Sequence, residues 1–325
     1  MSNRVEQLLD TWYDRKDSMQ WMLATVVETA GSSYRKKGAM MFFNDLGQCF
    51  GLVSGGCLEA DIMRQAQKNW STGQPSILTY DMRDEDDIGW QLGIGCGGMV
   101  KLLLQPISEQ NDYLQLTQLR HHLAQRRGCY YLQSKQPDLS NQCLTHSPVH
   151  SNPSEFIVHY YQPRPQVVIF GGGVDALPVS QMCATLGWQQ VLVDKRVGYG
   201  RPSVFDKADF IYSVKTDSAE LTPLLETADA IIIMTHNVAY DAEALAWAQS
   251  SHARFVGMLG PKHRTEKVLK AANIQQLKKP LANPIGLDIG GELPEAIALS
   301  ITAQIQAVLE NKMTLCHNME LQRVV

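Results

Sequence analysis

The chain has no run approaching the ~20 apolar residues a membrane-spanning helix needs, although 44% of its 325 residues are hydrophobic. Its N-terminus, MSNRVEQLLDTWYDRK, has no apolar core of signal-peptide length; Val5, Leu8, Leu9 and Trp12 recur at helical spacing instead. The expected compartment is the cytoplasm, with no membrane partner. There is little excess of charge: 29 basic against 33 acidic residues give a formal net charge of -4. That balance supplies no electrostatic reason to bind nucleic acid or an anionic membrane surface. Cysteine is scarce, with seven in the whole chain, so no disulfide scaffold is expected and an odd thiol is left over. The two cysteines flanked by glycine, Cys57 and Cys96, are thirty-nine residues apart, in no C-x-x-C and beside no histidine, so zinc has little support. No Ser-His-Asp spacing, nucleophile elbow, metalloprotease helix, internal repeat or low-complexity segment is found.

What is present divides in two. The length is roughly twice a single domain of about 150 residues, so two domains are expected, 1–155 and 156–325. The first mixes strands and helices in an α+β manner. Apolar, β-branched runs (Gln20 to Thr29, then AMMFF, QCFGLVSG, SILTYDMR and MVKLLLQPI) read as strands, and Cys57 to Trp70 and DYLQLTQLRHHLAQRR read as helices. QPDLSNQCLTHSPVHSNPS has little periodicity and marks the end of this domain, and EFIVHYYQP is its last strand or the bridge onward. From Gln166 continuous apolar strands alternate with amphipathic helices, as in a doubly wound parallel sheet of Rossmann type.

Gly171, Gly173 and Ala176 form G-x-G-x-x-A between a strand and a helix, and Asp194 ends the next strand twenty-three residues after Gly171. Glycines let backbone approach a phosphate, the helix N-terminus favours its charge, and the acid suits a ribose hydroxyl. NAD is therefore favoured over NADP, with Lys195 and Arg196 weakening the preference; the plain alternative is a tight turn and nothing more. His236 sits at a strand carboxyl end, where ligand-binding residues collect. GMLGPKHR offers Lys262, His263 and Arg264 at a helix start, for phosphate or merely as a solvated turn, and Asp288, Gly290, Gly291, Glu292 and Pro294 read as a cofactor contact or a helix cap. In the final helix Ile297, Ile301, Ile305 and Leu309 share a face that is core or the seam of a homodimer.

In the first half, SGGCLE carries Gly55, Gly56, Cys57 and Glu59, and GIGCGG carries Gly95, Cys96, Gly97 and Gly98. A thiol at a helix start is poised as a thiolate, and glycine-freed amides suit an anion; a free cysteine is also commonly an inert core residue. The GSSYRKKG loop adds Ser33 and Arg35, which suit phosphate or an ordinary exposed hairpin.

Taken in order, ATVVETAGSSYRKKGAMM, GLVSGGCLEADI, LGIGCGG, VVIFGGGVDALPVSQMCATLGW with VLVDKR, GRPSVFDKADFI, MTHNVAYDAEAL, GMLGPKHR and PIGLDIGGELPEAIALSI resemble the XdhC/CoxI family over most of the chain. The resemblance implies an N-terminal XdhC/CoxI-type domain followed by a Rossmann-like domain. It implies a cytoplasmic accessory protein that binds molybdenum cofactor (molybdopterin), keeps it while a cysteine desulfurase helps supply its terminal sulfur, and inserts it into the apoenzyme of a molybdenum hydroxylase such as xanthine dehydrogenase. Such a protein is a chaperone rather than a catalyst. On that basis Cys57 and Cys96 lie at the molybdenum or its sulfur, with the neighbouring glycine amides near the pterin and its phosphate. The chain departs from the family pattern at Tyr34, Val174, Pro261 and Lys262. Two other readings compete: an NAD(P)-dependent oxidoreductase with His236 as its acid or base, and an assembly protein whose domains mainly bind partners.

Overall fold

The structure is a computed structural model that describes residues 3–56, 58–81, 83, 98–149, 151–315 and 321–323. It has two compact units, Met1–Pro163 and Arg164–Val325. No helix among the described residues is long and apolar enough to cross a membrane.

The first unit is built on β1 (Trp21–Gly31), β2 (Met40–Asn44), β3 (Cys49–Gly51), β4 (Ser76–Asp81) and β5 (Gly98–Ile107), in the order β3-β2-β1-β5-β4. Every neighbouring pair is antiparallel. Central strand β1 reads as an unbroken apolar run because both faces of the sheet are covered. The helices of this unit are α1 (Val5–Tyr13), α2 (Glu59–Thr72) and α3 (Leu116–Ala124). Leu8, Leu9 and Trp12 of α1 and Leu116, Leu119 and Leu123 of α3 pack with Trp21, Leu23, Met40 and Phe42. On the opposite side Ile62 and Ala66 of α2 pack with Met22, Ala24, Val26, Leu102 and Leu104. Gly73, with φ 67°, stops α2 in the left-handed conformation a helix end favours.

A smaller antiparallel sheet joins β6 (Cys129–Ser134), β7 (Gln142–Leu144) and β8 (Phe156–Tyr161) in the order β7-β6-β8. Its Ile157 packs on Val27 and Leu103 of the larger sheet. β7 lies in the stretch expected to be irregular, and β8 pairs with β6, so EFIVHYYQP closes the first unit and the division falls between Pro163 and Arg164. The third helix starts at Leu116 rather than Asp112. Residues 112–115 are left-handed, and Asn111 ties the segment down by donating to the Pro106 carbonyl at 2.7 Å.

The second unit has a parallel sheet of β9 (Gln166–Phe170), β10 (Gln189–Val193), β11 (Phe210–Tyr212), β12 (Ala230–Ile233) and β13 (Phe255–Met258), ordered β11-β10-β9-β12-β13. The order of strands along the chain reverses its course across the sheet between β9 and β12, which is where open α/β sheets hold ligands. The helices are α4 (Ala176–Thr185), α5 (Leu224–Thr227), α6 (Val238–Ala248), α7 (Lys262–Ala271) and α8 (Pro294–Leu309). One face packs α4 and α8 on Val167, Ile169, Leu192 and Ile232; the other packs α5, α6 and α7 on Val168, Phe170, Val191 and Ile231. Ile301 and Ile305 are fully buried, and Ile297 and Leu309 pack against the same cluster, so the apolar face of α8 is core.

Candidate functional site

In the first unit three sequence motifs far apart along the chain meet at one end of the larger sheet. Gly98, the last residue of GIGCGG, pairs with Gly31. A Cβ at Gly98 would lie 1.9 Å from the Ser32 carbonyl oxygen and 2.9 Å from that of Ala30, so only glycine lets β5 begin against the loop that carries Ser33 and Arg35. A Cβ at Gly55 would stand 3.7 Å from the Tyr34 ring, which brings the SGGCLE turn to the same loop. The antiparallel pairing of β1 with β5 is what brings Gly98 to this loop.

Glu59 has a holding role there. The Ser54 hydroxyl donates to its Oε2 at 2.6 Å and the Ser54 N–H to its Oε1 at 3.2 Å, while the Leu58 N–H donates to Ser54 Oγ at 3.1 Å. These bonds close the Gly55–Gly56 turn at the start of α2, much as a capping box does. Arg35 is half-buried and its desolvation lowers its pKa; among the described residues it donates to the Asn3 carbonyl, at 3.4 Å, and pairs with no carboxylate. A partly desolvated guanidinium without a counter-charge suits a phosphate or other anion. Ser33 accepts from Lys36 Nζ at 3.5 Å. Cys57, Cys96, Gly95 and Gly97 lie outside the described residues.

A cleft of about 710 Å³ in the same unit is lined by Val27, Ile77 and Ile157 together with Glu28, Lys37, Lys101 and Lys135, among others. Lys101 pairs with Glu28 at 2.9 Å and Lys135 donates to the Pro153 carbonyl at 2.6 Å. Its lining suits an amphipathic anion but includes no nucleophile with an adjacent base.

In the second unit the glycine turn runs into the crevice between β9 and β12. Gly171 has φ 119°, and a Cβ there would lie 2.5 Å from the Met234 carbonyl oxygen; one at Gly172 would lie 2.3 Å from the Gly200 nitrogen. Gly173 completes the turn, and the fully buried Ala176 lets α4 lie close to the sheet. Asp194 is buried at the end of β10 and already accepts four hydrogen bonds. They come from the Gly172 N–H at 2.8 Å and from the N–H, Nε and Nη2 of Arg196 at 3.0, 2.9 and 2.6 Å. Burial pushes its pKa up, but the Arg196 and amide bonds outweigh that and hold it below the ordinary value. A carboxylate has about four lone-pair positions, so a ribose hydroxyl would have to displace one of these donors. Arg196 also donates to the Thr235 carbonyl at 2.9 Å and stacks over Tyr199 with its carbon 3.8 Å from the ring centroid.

His236 follows β12 with φ 59°, a left-handed conformation rare for a residue with a side chain. Its imidazole is 61% exposed, with Nε2 2.6 Å from Asp175 Oδ2 across the mouth of the crevice. The fully buried Asp241 holds this corner: its Oδ1 accepts from the Thr235 N–H at 3.1 Å and the Thr235 hydroxyl at 2.6 Å, and its Oδ2 pairs with Arg264. Asn237 Oδ1 caps α6 by accepting from the Ala239 and Tyr240 amides. Arg264 is therefore committed to Asp241, leaving Lys262 and His263 as the exposed basic residues of GPKHR. The α8 start has Pro294 in its first turn and no side-chain cap, so Asp288 and Glu292 do not serve as one.

Sequence reasoning missed Asp175 and Asp241 as site residues, and it took Arg196 only as weakening the NAD preference, not as the partner of Asp194. The one local signal is Asn237 with Asp241 four residues on, a helix cap followed by an acid at the first turn. Among the described residues no three His, Cys, Asp or Glu side chains are grouped to hold a metal ion.

Comparison with known proteins bears on both units. Residues 15–81 match the family model described as "XdhC and CoxI family", and residues 167–305 match "XdhC Rossmann domain". A Bacillus subtilis (strain 168) protein, whose name makes it a probable subunit of xanthine dehydrogenase, is 28% identical over 89% of this chain and 93% of its own length. The molybdenum cofactor insertion chaperone PaoD of Escherichia coli (strain K12) is 23% identical over 88% and 83%. Among solved structures, a Bacillus halodurans protein described as a xanthine dehydrogenase superposes with TM-score 0.81 at 30% identity, covering 95% of this chain and 96% of that one.

Proposed function

The chain belongs to the XdhC and CoxI family, and from that premise we propose that it is an accessory protein that binds molybdenum cofactor and inserts it into a molybdenum hydroxylase of the xanthine dehydrogenase type. The observation that carries the reading is the meeting of the Ser33–Arg35 loop, the Gly55–Gly56 turn and Gly98. Two of these three segments are parts of motifs that contain a cysteine, Cys57 and Cys96. Thiolates are soft donors matched to molybdenum or to its sulfur. The guanidinium of Arg35, which pairs with no carboxylate among the described residues, and the amides of a glycine-rich turn match the phosphate of the pterin. The E. coli relative is itself named an insertion chaperone. The same proposal includes a cytoplasmic setting and a cysteine desulfurase as the source of the terminal sulfur.

For the second unit, the NAD-dependent oxidoreductase reading needs Asp194 to receive a ribose, and its four hydrogen bonds count against that. His236 with Asp175 remains the pair to test for any proton transfer. The test is reconstitution. Protein mixed with cofactor released from a donor, then with an apo-hydroxylase, should restore hydroxylase activity, and a Cys57→Ala, Cys96→Ala variant should restore much less. Failure of the native protein to take up cofactor at all would overturn the proposal.

A further inference from the structure

The first unit holds another pair of cysteines, apart from the two glycine-flanked motifs. Cys129 opens β6 and Cys143 is the middle residue of β7. Tyr131 stands opposite Cys143 in the register. Alternation along a strand puts Cys129 and Tyr131 on one face, so the two cysteines are diagonal neighbours on the same side of the pair. Their Sγ atoms are 3.2 Å apart. Cys129 is fully buried, whereas Cys143 is only partly buried. The thiols are also unlike in acidity. The Sγ–Sγ hydrogen bond between them lowers the pKa of Cys143 despite burial, and the same bond, helped by burial, raises that of Cys129.

We propose that Cys143 and Cys129 are a thiol–disulfide exchange site, in which Cys143 reacts with a low-molecular-weight disulfide and Cys129 resolves the adduct. In the first step the Cys143 thiolate attacks one sulfur of the small disulfide, forming a mixed disulfide and expelling one small thiolate. In the second, Cys129 gives up its proton and attacks Cys143 Sγ, forming the Cys129–Cys143 bond and expelling the second thiolate. The two protein thiols lose two electrons and two protons, and the small disulfide becomes two small thiols. Accessibility and acidity assign the attacking role to Cys143, and burial within reach of the adduct assigns the resolving role to Cys129. Closing the gap to the ~2.05 Å of a disulfide needs a small shift. β7 can supply it, being three residues long and at the edge of its sheet. The other described cysteines lack such a partner: Cys49 is raised by burial and by Glu59, and burial raises Cys183 to about 12. The bond would lock β7 to β6 and rest on no property of the cofactor.

The test uses the full chain, reduced, freed of reductant and incubated with oxidised glutathione, then differentially alkylated, digested and mapped by mass spectrometry. The native protein should show the Cys129 and Cys143 peptides joined, and dithiothreitol should separate them. Cys129→Ser should accumulate glutathione on Cys143. Cys143→Ser, at the more accessible of the two positions, should slow modification of Cys129 roughly tenfold or more, with circular dichroism checking that both variants fold. The proposal is overturned if Cys143 of the folded native protein stays free for alkylation. It is equally overturned if folded Cys143→Ser leaves the reactivity of Cys129 unchanged.

Discussion

Gly98→Ala tests the junction of motifs most sharply, because the obstruction is all backbone. The new Cβ would sit 1.9 Å from the Ser32 oxygen, 2.8 Å from its carbonyl carbon and 2.9 Å from the Ala30 oxygen, against an ordinary contact of 3.4–4 Å. The start of β5 must therefore move off the end of β1 by more than an ångström, and none of the three atoms can rotate away. Overpacking typically costs about 1–3 kcal/mol. The upper end applies here, with about 1 kcal/mol more for the hydrogen bonding lost at the Gly31–Gly98 pair. In a unit of this size, where each kcal/mol shifts the midpoint by roughly 2–4 °C, melting of the first unit should fall by about 10 °C. Cofactor uptake should be lost even well below that midpoint. Gly47→Ala is the control: it has φ 76° with nothing within 4 Å of its Cβ, so it should cost about 1–2 kcal/mol of backbone strain and leave uptake intact. Calorimetry with a parallel molybdenum assay reads both. An unchanged midpoint and normal uptake in Gly98→Ala would refute the close approach.

Three further outcomes follow from the same geometry. Asp241→Ala strips the counter-charge from Arg264 and the acceptor from Thr235, so urea unfolding should show a loss of about 3–5 kcal/mol; a loss below about 1 kcal/mol would mean the network is slack. Ser54→Ala removes the hydroxyl that bridges Glu59 and the Leu58 amide and should cost about 1–2 kcal/mol, measured by the same titration. Burial, aided by Lys37, lowers the pKa of His159 from 6.5 to about 4. The unfolded chain then binds a proton that the folded one refuses, so stability is full above pH 6.5 and falls as pH drops towards 4. The loss approaches about 3 kcal/mol, and His159→Gln should flatten that part of the pH profile in denaturant titrations.

The second unit was legible from the sequence because its signals are local. QVVIF, the glycine turn, α4 and the strand ending at Asp194 follow one another without a gap, and each announces itself by period or composition. The use made of Asp194 was not legible, since Arg196 folds back on it only where Gly172 and the Thr235 carbonyl, from two other strand ends, hold both in place. β7 was missed because three residues show no period, and they pair only because β6 is already present. The left-handed run 112–115 depends on distant partners, including the Tyr131 hydroxyl bonded to the Leu114 carbonyl at 2.7 Å. For the candidate site, the motifs could be seen one by one, whereas their meeting depends on β1 pairing with β5 across the rest of the first sheet.

The most direct test of the central claim is metal and pterin analysis of the protein purified from a host that makes molybdenum cofactor, beside a Cys57→Ala, Cys96→Ala double variant. Molybdenum and pterin bound to the native chain and missing from the folded variant are the predicted result. A native chain that carries neither, even after incubation with a cofactor donor, would contradict the account.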